Sequence, residues 1–382
     1  MNVNILANSV FLLQIIKLPY NEAMFNKKID DITPYTPGQS IEAIQQQYGI
    51  EKIIKLASNE NPLGPAYDFR ECNTVIEHYP DYNAHPLVAS LASKFNIKSD
   101  QLILGNGSDE LLQIAALACI EPGNEILSSE CTFSEYEFVA RVTGATFVAA
   151  PMTNYTYNVT EMIKNITDNT KIIFIANPNN PTGTYLNQAS ILELLNAASK
   201  NTLVILDEAY AEYVTATDYP NALELIKEYP NLMMTRTFSK IYGLANLRIG
   251  YGVAQPQVIK QIQKVRQPFN VNGLALECAY QALKNESFVQ ESIKTNTIGK
   301  QYLLDELRKI KCTIPPSEGN FLFINFETVD GTQLCNDLLK RGVIVRSMKS
   351  FGQNNAIRVT IGTQIQNEIF IKELHRCLKK QS

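Results

Sequence analysis

Short apolar runs, each closed off by turn residues, recur through the middle of this chain with helical periodicity between them. No other feature narrows the fold as much. The runs Glu125–Ser128, Thr146–Ala150, Lys171–Ala176 and Leu203–Leu206 are nearly continuous in Ile, Leu, Val, Phe and Ala. A strand buried on both faces has no polar side, so such runs fit the interior of a mostly parallel sheet. Gln101–Leu104 reads as a further strand entering the turn Gly105-Asn106-Gly107, and Leu232–Thr235 and Leu247–Val253 as two more. Leu87–Phe95 and Asp109–Cys119 carry the spacing of amphipathic helices. This alternation predicts an α/β fold, a three-layer α/β/α domain over residues 55–285.

The rhythm changes near residue 286. A long polar helix (Glu286–Lys309) precedes an alternating strand, Phe321–Phe326. A helix (Thr332–Lys340), strands at Val343–Val345 and Ile357–Thr360, and a closing helix (Gln364–Leu378) follow. The pattern predicts a smaller α+β domain over 286–382, with residues 25–54 as an arm packing on it or on a partner subunit. Residues 1–24 read as an extension. Their apolar stretch Val10–Ile16 is too short to span a bilayer, and no basic segment precedes it.

At 382 residues the chain can bury a large core. Its net charge of −4 and lack of a long basic run argue against nucleic acid as a partner. Seven cysteines with no C-x-x-C pair suit a reducing cytoplasm rather than a disulfide framework or a zinc site. The histidines, His78, His85 and His375, lack metal-ligand spacing, so no metal is expected.

Three marked segments carry the chemistry: NPNNPTG at 177–183, DEAY at 207–210 and TFSKIYGLANLR at 237–248. Lys240 lies between an apolar strand and a Gly-Leu-Ala stretch, which favours a buried turn. Desolvation there would make its amine nucleophilic near neutral pH. Asp207 ends an apolar strand, at the edge where open α/β sheets bind ligands, although an aspartate there can also cap the next helix. Tyr210 falls near the same edge. Asn180 sits in a segment whose Asn, Pro and Gly are ordinary turn formers, yet its amide could donate to a phenolate. Gly107, Ser108 and Asp109 open a helix whose N–H groups can either be capped or hold an anion. Thr237, Ser239 and Arg248 add hydroxyls and a fixed positive charge. Together they suit pyridoxal phosphate: an amine for its aldehyde, a carboxylate for its ring nitrogen and a cup for its phosphate.

In this order the motifs resemble those of the fold-type I pyridoxal-phosphate aminotransferases. Within them the chain is similar to the histidinol-phosphate aminotransferases. The likeness runs from Ile32 to the C-terminus. It includes TPYTPG at 33–38, KLASNENPLGP at 55–65, HYPD at 78–81, RQPFNVN at 266–272, EGNF at 318–321 and IRVTIG at 357–362. The resemblance implies that Lys240 is the Schiff-base lysine, that Asp207 pairs with the ring nitrogen, and that Tyr210 and Asn180 bind the phenolic oxygen. It implies that Phe133 stacks on the ring, where many relatives carry tyrosine. Gly107, Ser108, Asp109, Thr237, Ser239 and Arg248 would hold the phosphate. Tyr79 would reach the cofactor of a partner subunit in a homodimer. Arg358 would grip the substrate carboxylate, and Tyr35 and Arg346 would lie near a distal phosphate.

The reaction implied is ping-pong transfer of an amino group from glutamate to imidazole-acetol phosphate, a step of histidine synthesis. An aminotransferase acting on aromatic amino acids, or a phosphothreonine decarboxylase, would keep the same cofactor residues. The effector domain of a transcription regulator has this fold too, but needs an upstream helix-turn-helix module for which the segment before Ile32 is too short.

Overall fold

The computed structural model describes Ile32 and residues 41–379. Tyr35 and the expected extension 1–24 lie outside the described residues.

Seven strands form the main sheet: β1 (Leu102–Gly105), β2 (Glu125–Ser129), β3 (Thr146–Ala150), β4 (Thr170–Ala176), β5 (Leu203–Asp207), β6 (Leu232–Thr237) and β7 (Gly250–Ala254). Their spatial order is β1-β7-β6-β5-β4-β2-β3. Neighbours run parallel from β6 through β5, β4 and β2 to β3. Strand β7 is antiparallel to both β1 and β6. The reason is the form of the β6–β7 connection. Parallel strands need a crossover that carries the chain back along the sheet, usually a helix, and residues 238–249 form none. They make a loop that holds Lys240 and turns straight back.

Alternation along each strand divides its side chains between two cores. Leu127, Ile173, Ile175, Val204, Leu206 and Met234 pack on one face. Ile126, Ile172, Phe174, Ile205 and Met233 pack on the other. Both faces are therefore covered, which is why these strands are apolar at nearly every position.

The expected strand Leu247–Val253 begins only at Gly250. Ala245–Leu247 is a 3-10 turn, and Arg248 takes a left-handed backbone with φ of 55°.

A second, antiparallel sheet holds β8 (Phe321–Asn325), β9 (Arg346–Ser347) and β10 (Ala356–Thr360) in the order β8-β10-β9. The strand expected at Val343–Val345 stops at Ile344, and a separate one follows at Arg346–Ser347. Val343–Ile344 pairs with Ile54–Lys55, while Arg346–Ser347 pairs with β10, so the chain serves two different neighbours. Helices Glu286–Leu307, Gly331–Leu339 and Gln364–Leu378 contribute Leu303, Leu334, Leu338 and Phe370 to the core of this region, together with Ile54 and Leu56. Among the described residues no helix is long and apolar enough to cross a membrane.

Candidate active site

The C-terminal ends of β4, β5 and β6 open into a cavity of about 400 Å³. In-register pairing puts Ala176 beside Asp207 and Asp207 beside Thr235, so the sheet itself fixes where the carboxylate stands.

Asp207 is 4% exposed. Tyr136 donates its hydroxyl to Oδ2 at 3.0 Å, and Thr235 donates to Oδ1 at 3.3 Å. Burial pushes the carboxyl up to about 7, against the opposing pull of the Tyr136 hydrogen bond. A positive charge placed beside it would reverse that trend. The Tyr136 ring is fully buried, stacked on Phe174 at 4.7 Å and edge-on to Phe133 at 5.7 Å. One tyrosine thus braces the acid and the aromatic ring that line the same cavity.

Lys240 is half-buried, between the fully buried Phe238 and Ile241. The turn is buried as expected, while the lysine side chain reaches out of it into the cavity. Its ammonium donates to the carbonyl of Ser58 at 3.1 Å and lies 5.8 Å from the Tyr210 ring centre. Asn61 donates to the carbonyl of Ile241 at 2.8 Å and so clamps the lysine's own loop. At Gly243, φ is 65° and any Cβ would run into the carbonyl of Gly64, so this turn requires glycine.

A cluster of donors closes one end. Helix Ser108–Cys119 starts here with Gly107 as its N-cap. Arg248 donates to Asp109 Oδ2 at 3.0 Å, to the Ala245 carbonyl at 3.2 Å and to Ser239 Oγ at 3.4 Å. Gly107 has φ of 83°, and a Cβ there would strike the Arg248 guanidinium. Ser108, Thr237 and Ser239 line the same end. A helix N-terminus, an arginine and three hydroxyls make a site for a dianion.

Asn180, Phe133 and Tyr210 line the remaining walls. Arg358, on β10, stands behind the Asn180 wall, donating to Asn180 Oδ1 and, at 2.8 Å, to the carbonyl of Ala57. Because the Asn180 oxygen is engaged by Arg358, its amide nitrogen is the end available to a ligand.

Two expected residues neither line this cavity nor touch its lining in the described chain. Tyr79 is 82% exposed, stacked on Phe269 at 4.7 Å, and borders a separate depression of about 980 Å³. Arg346 lies on β9 and does not line the cavity wall. Sequence reasoning missed Tyr136 and Thr235. The β5–β6 register supplies the signal for Thr235. Tyr136 stood in the segment that yielded Phe133, three residues on, with nothing to show that a helix would turn it toward β5.

The whole set brings an anion-binding helix N-terminus, a buried carboxyl and an amine to one cavity. Residues 51–374 match the family described as aminotransferase class I and II. The chain is 45% identical over 352 residues to the histidinol-phosphate aminotransferase of Moorella thermoacetica, covering 91% of each chain. It is 39% identical to that of Geobacillus thermodenitrificans, covering 93% of this chain and 98% of the relative. Its fold is similar to the histidinol-phosphate aminotransferase of Sinorhizobium meliloti solved with pyridoxal-5'-phosphate. The TM-score is 0.83 at 22% identity, over 94% of this chain and 98% of that one.

Proposed function

The chain belongs to the class I and II aminotransferases, and from that premise we propose that it moves the amino group of L-glutamate to imidazole-acetol phosphate. The products are L-histidinol phosphate and 2-oxoglutarate, in histidine biosynthesis. Its cofactor is pyridoxal phosphate. One observation carries the reading: Asp207, Lys240, Asn180, Tyr210 and Arg248 surround a single cavity.

The donor set fits that cofactor. An acid stands opposite an anion cup with an amine between them, and the missing Cβ of Gly107 leaves space beside the Arg248 guanidinium. When bound, the cofactor supplies an aldehyde carbon and an electron-withdrawing ring. Asp207 would hold a proton on the ring nitrogen, and Tyr136 and Thr235 keep its carboxylate oriented for that. Tyr210 and the Asn180 amide would donate to the phenolic oxygen, with Phe133 against the ring. Gly107, Ser108, Asp109, Thr237, Ser239 and Arg248 would hold the phosphate. Lys240 would hold the cofactor at its aldehyde carbon, and its Nζ, once displaced by the substrate amine, would hold and move the proton of the substrate α-carbon. Arg358 would fork onto the glutamate carboxylate, while Arg346 and Tyr35 would meet the distal phosphate.

A homodimer in the cytoplasm completes the reading. Val75, Ile76, Tyr79 and Phe269 are exposed apolar residues around the larger depression, a patch that supports burial against a second copy. Seven cysteines without a C-x-x-C pair support a reducing compartment.

The test is a set of half-reactions with histidinol phosphate, phenylalanine, tyrosine and phosphothreonine, followed by cofactor absorbance. Histidinol phosphate should react fastest. A preference for phenylalanine would make this an aromatic aminotransferase instead.

A further inference from the structure

Three segments marked in the sequence meet at one buried asparagine that the reaction above leaves without a role. Asn59 comes from KLASNENPLGP, Asn320 from EGNF and Thr360 from IRVTIG. Asn59 is 1% exposed and adopts a left-handed backbone with φ of 56°. All its kinds of polar group are engaged. Its backbone N–H donates to Thr360 Oγ1 at 2.9 Å, and its carbonyl accepts from Asn320 Nδ2 at 3.0 Å. Thr360 Oγ1 donates to its side-chain oxygen at 3.3 Å, and its Nδ2 donates to the Tyr210 hydroxyl at 3.0 Å.

These bonds share one sense. Thr360 Oγ1 accepts from the backbone N–H and donates its own proton to the Asn59 side-chain oxygen, so the amide presents its nitrogen to Tyr210. The Tyr210 oxygen accepts that hydrogen bond, and its own proton points elsewhere. The Tyr210 ring packs edge-on to Phe321 at 5.1 Å, and the residue lines the cavity.

We propose that Asn59 is a positioning residue that aims the phenolic proton of Tyr210 into the cavity, at the oxygen of the bound cofactor, and that it does so only while β10 is docked against residues 56–59. The docking is a continuous seam. Thr360 N–H donates to the Leu56 carbonyl at 2.8 Å, and Arg358, two residues earlier on β10, holds the Ala57 carbonyl. The strand that supplies the substrate-gripping arginine thus also orders the donor to the cofactor. Loss of the seam would disarm both together.

The inference rests on the transaminase reading, so its test starts from the full chain loaded with pyridoxal phosphate. Asn59→Asp keeps the shape but offers a carboxylate that accepts the Tyr210 proton, turning it away from the cavity. Two readouts are taken at one fixed pH: the ratio of the bound cofactor's long- and short-wavelength absorbance bands, and the cofactor dissociation constant. Asn59→Asp should change the band ratio about tenfold, as expected for losing one hydrogen bond to a charged oxygen. Tyr210→Phe should change it to a similar extent. Combining the two should add nothing, because Asn59 acts through that hydroxyl. Thr360→Val, which lets the amide rotate, should shift the ratio the same way and also add nothing in the Tyr210→Phe background. It serves as the test if Asn59→Asp does not fold.

A wild-type band ratio in the single variants, or an effect that persists in full without the Tyr210 hydroxyl, would overturn the proposal and leave the transaminase reading intact. A wild-type chain that takes up no pyridoxal phosphate would overturn both.

Discussion

Arg346 and Arg358 stand directly opposite each other across β9 and β10, so both project from the same face of the small sheet. Like charges in that relationship repel. Two guanidiniums side by side suit a substrate pair that must carry a carboxylate in one half-reaction and a phosphate in the other. Arg358→Ala should impair the glutamate half-reaction most, and Arg346→Ala the histidinol phosphate one. Each loss should be about 1.5–3 kcal/mol, tenfold or more in kcat/KM. If Arg346→Ala weakens phenylalanine as much as histidinol phosphate, Arg346 does not read the phosphate.

Borohydride reduction of the loaded protein should fix the cofactor to Lys240, found by peptide mapping. Lys240→Ala should retain cofactor binding through the Arg248 cluster and lose transamination. An adduct on any other lysine would remove Lys240 from its assigned role.

Asp207 makes the cofactor-free protein sensitive to pH. Its folded-state carboxyl is raised from 3.8 to about 7 by burial. Between those values the folded protein holds a proton that the unfolded chain has released. The stability it contributes is therefore present at low pH and is lost as pH rises toward about 7. The slope is at most about 1.4 kcal/mol per pH unit. Asp207→Asn cannot titrate. In thermal melts without cofactor, the variant should gain on wild type between about pH 4 and about pH 7. A constant difference across that range would contradict the argument.

Glu208, beside Asp207, points to the opposite side of β5 and is fully buried. It accepts from Arg236 Nε at 2.9 Å and Nη2 at 2.7 Å. Removing one partner strands the other charge. Glu208→Ala should lose roughly 3–5 kcal/mol in urea unfolding, and Glu208→Gln clearly less, since the amide oxygen can still accept. Equal losses would mean that packing rather than the ion pair matters at this position.

If the exposed Tyr79 completes a neighbour's site, two inactive variants should complement each other. Mixing Lys240→Ala with Tyr79→Ala subunits creates hybrid dimers with one intact site, so part of the activity should return. Verified subunit exchange with no recovery would show that each site is built from one chain.

The amino-acid sequence by itself determined the layers and the edge at which the candidate site lies. A strand buried on both faces has to be apolar throughout, so β2, β4 and β5 are visible as runs, and a polar residue closing such a run, as Asp207 does, marks the sheet's ligand edge. Lys240, Arg248 and Asn180 were legible for a related reason: local turns place them, and local turns have local signatures. Tertiary structure decided the rest. The β6–β7 connection forms no crossover helix, which set β7 antiparallel and left Lys240 in the returning loop. Tyr136 became a partner of Asp207 only when its helix packed on Phe174. Asn59 and Thr360 are 301 positions apart and touch only because β10 docks against residues 56–59. Periodicity encodes which way a side chain faces. It carries no record of what waits on the other side, because that depends on how two separately folded surfaces meet.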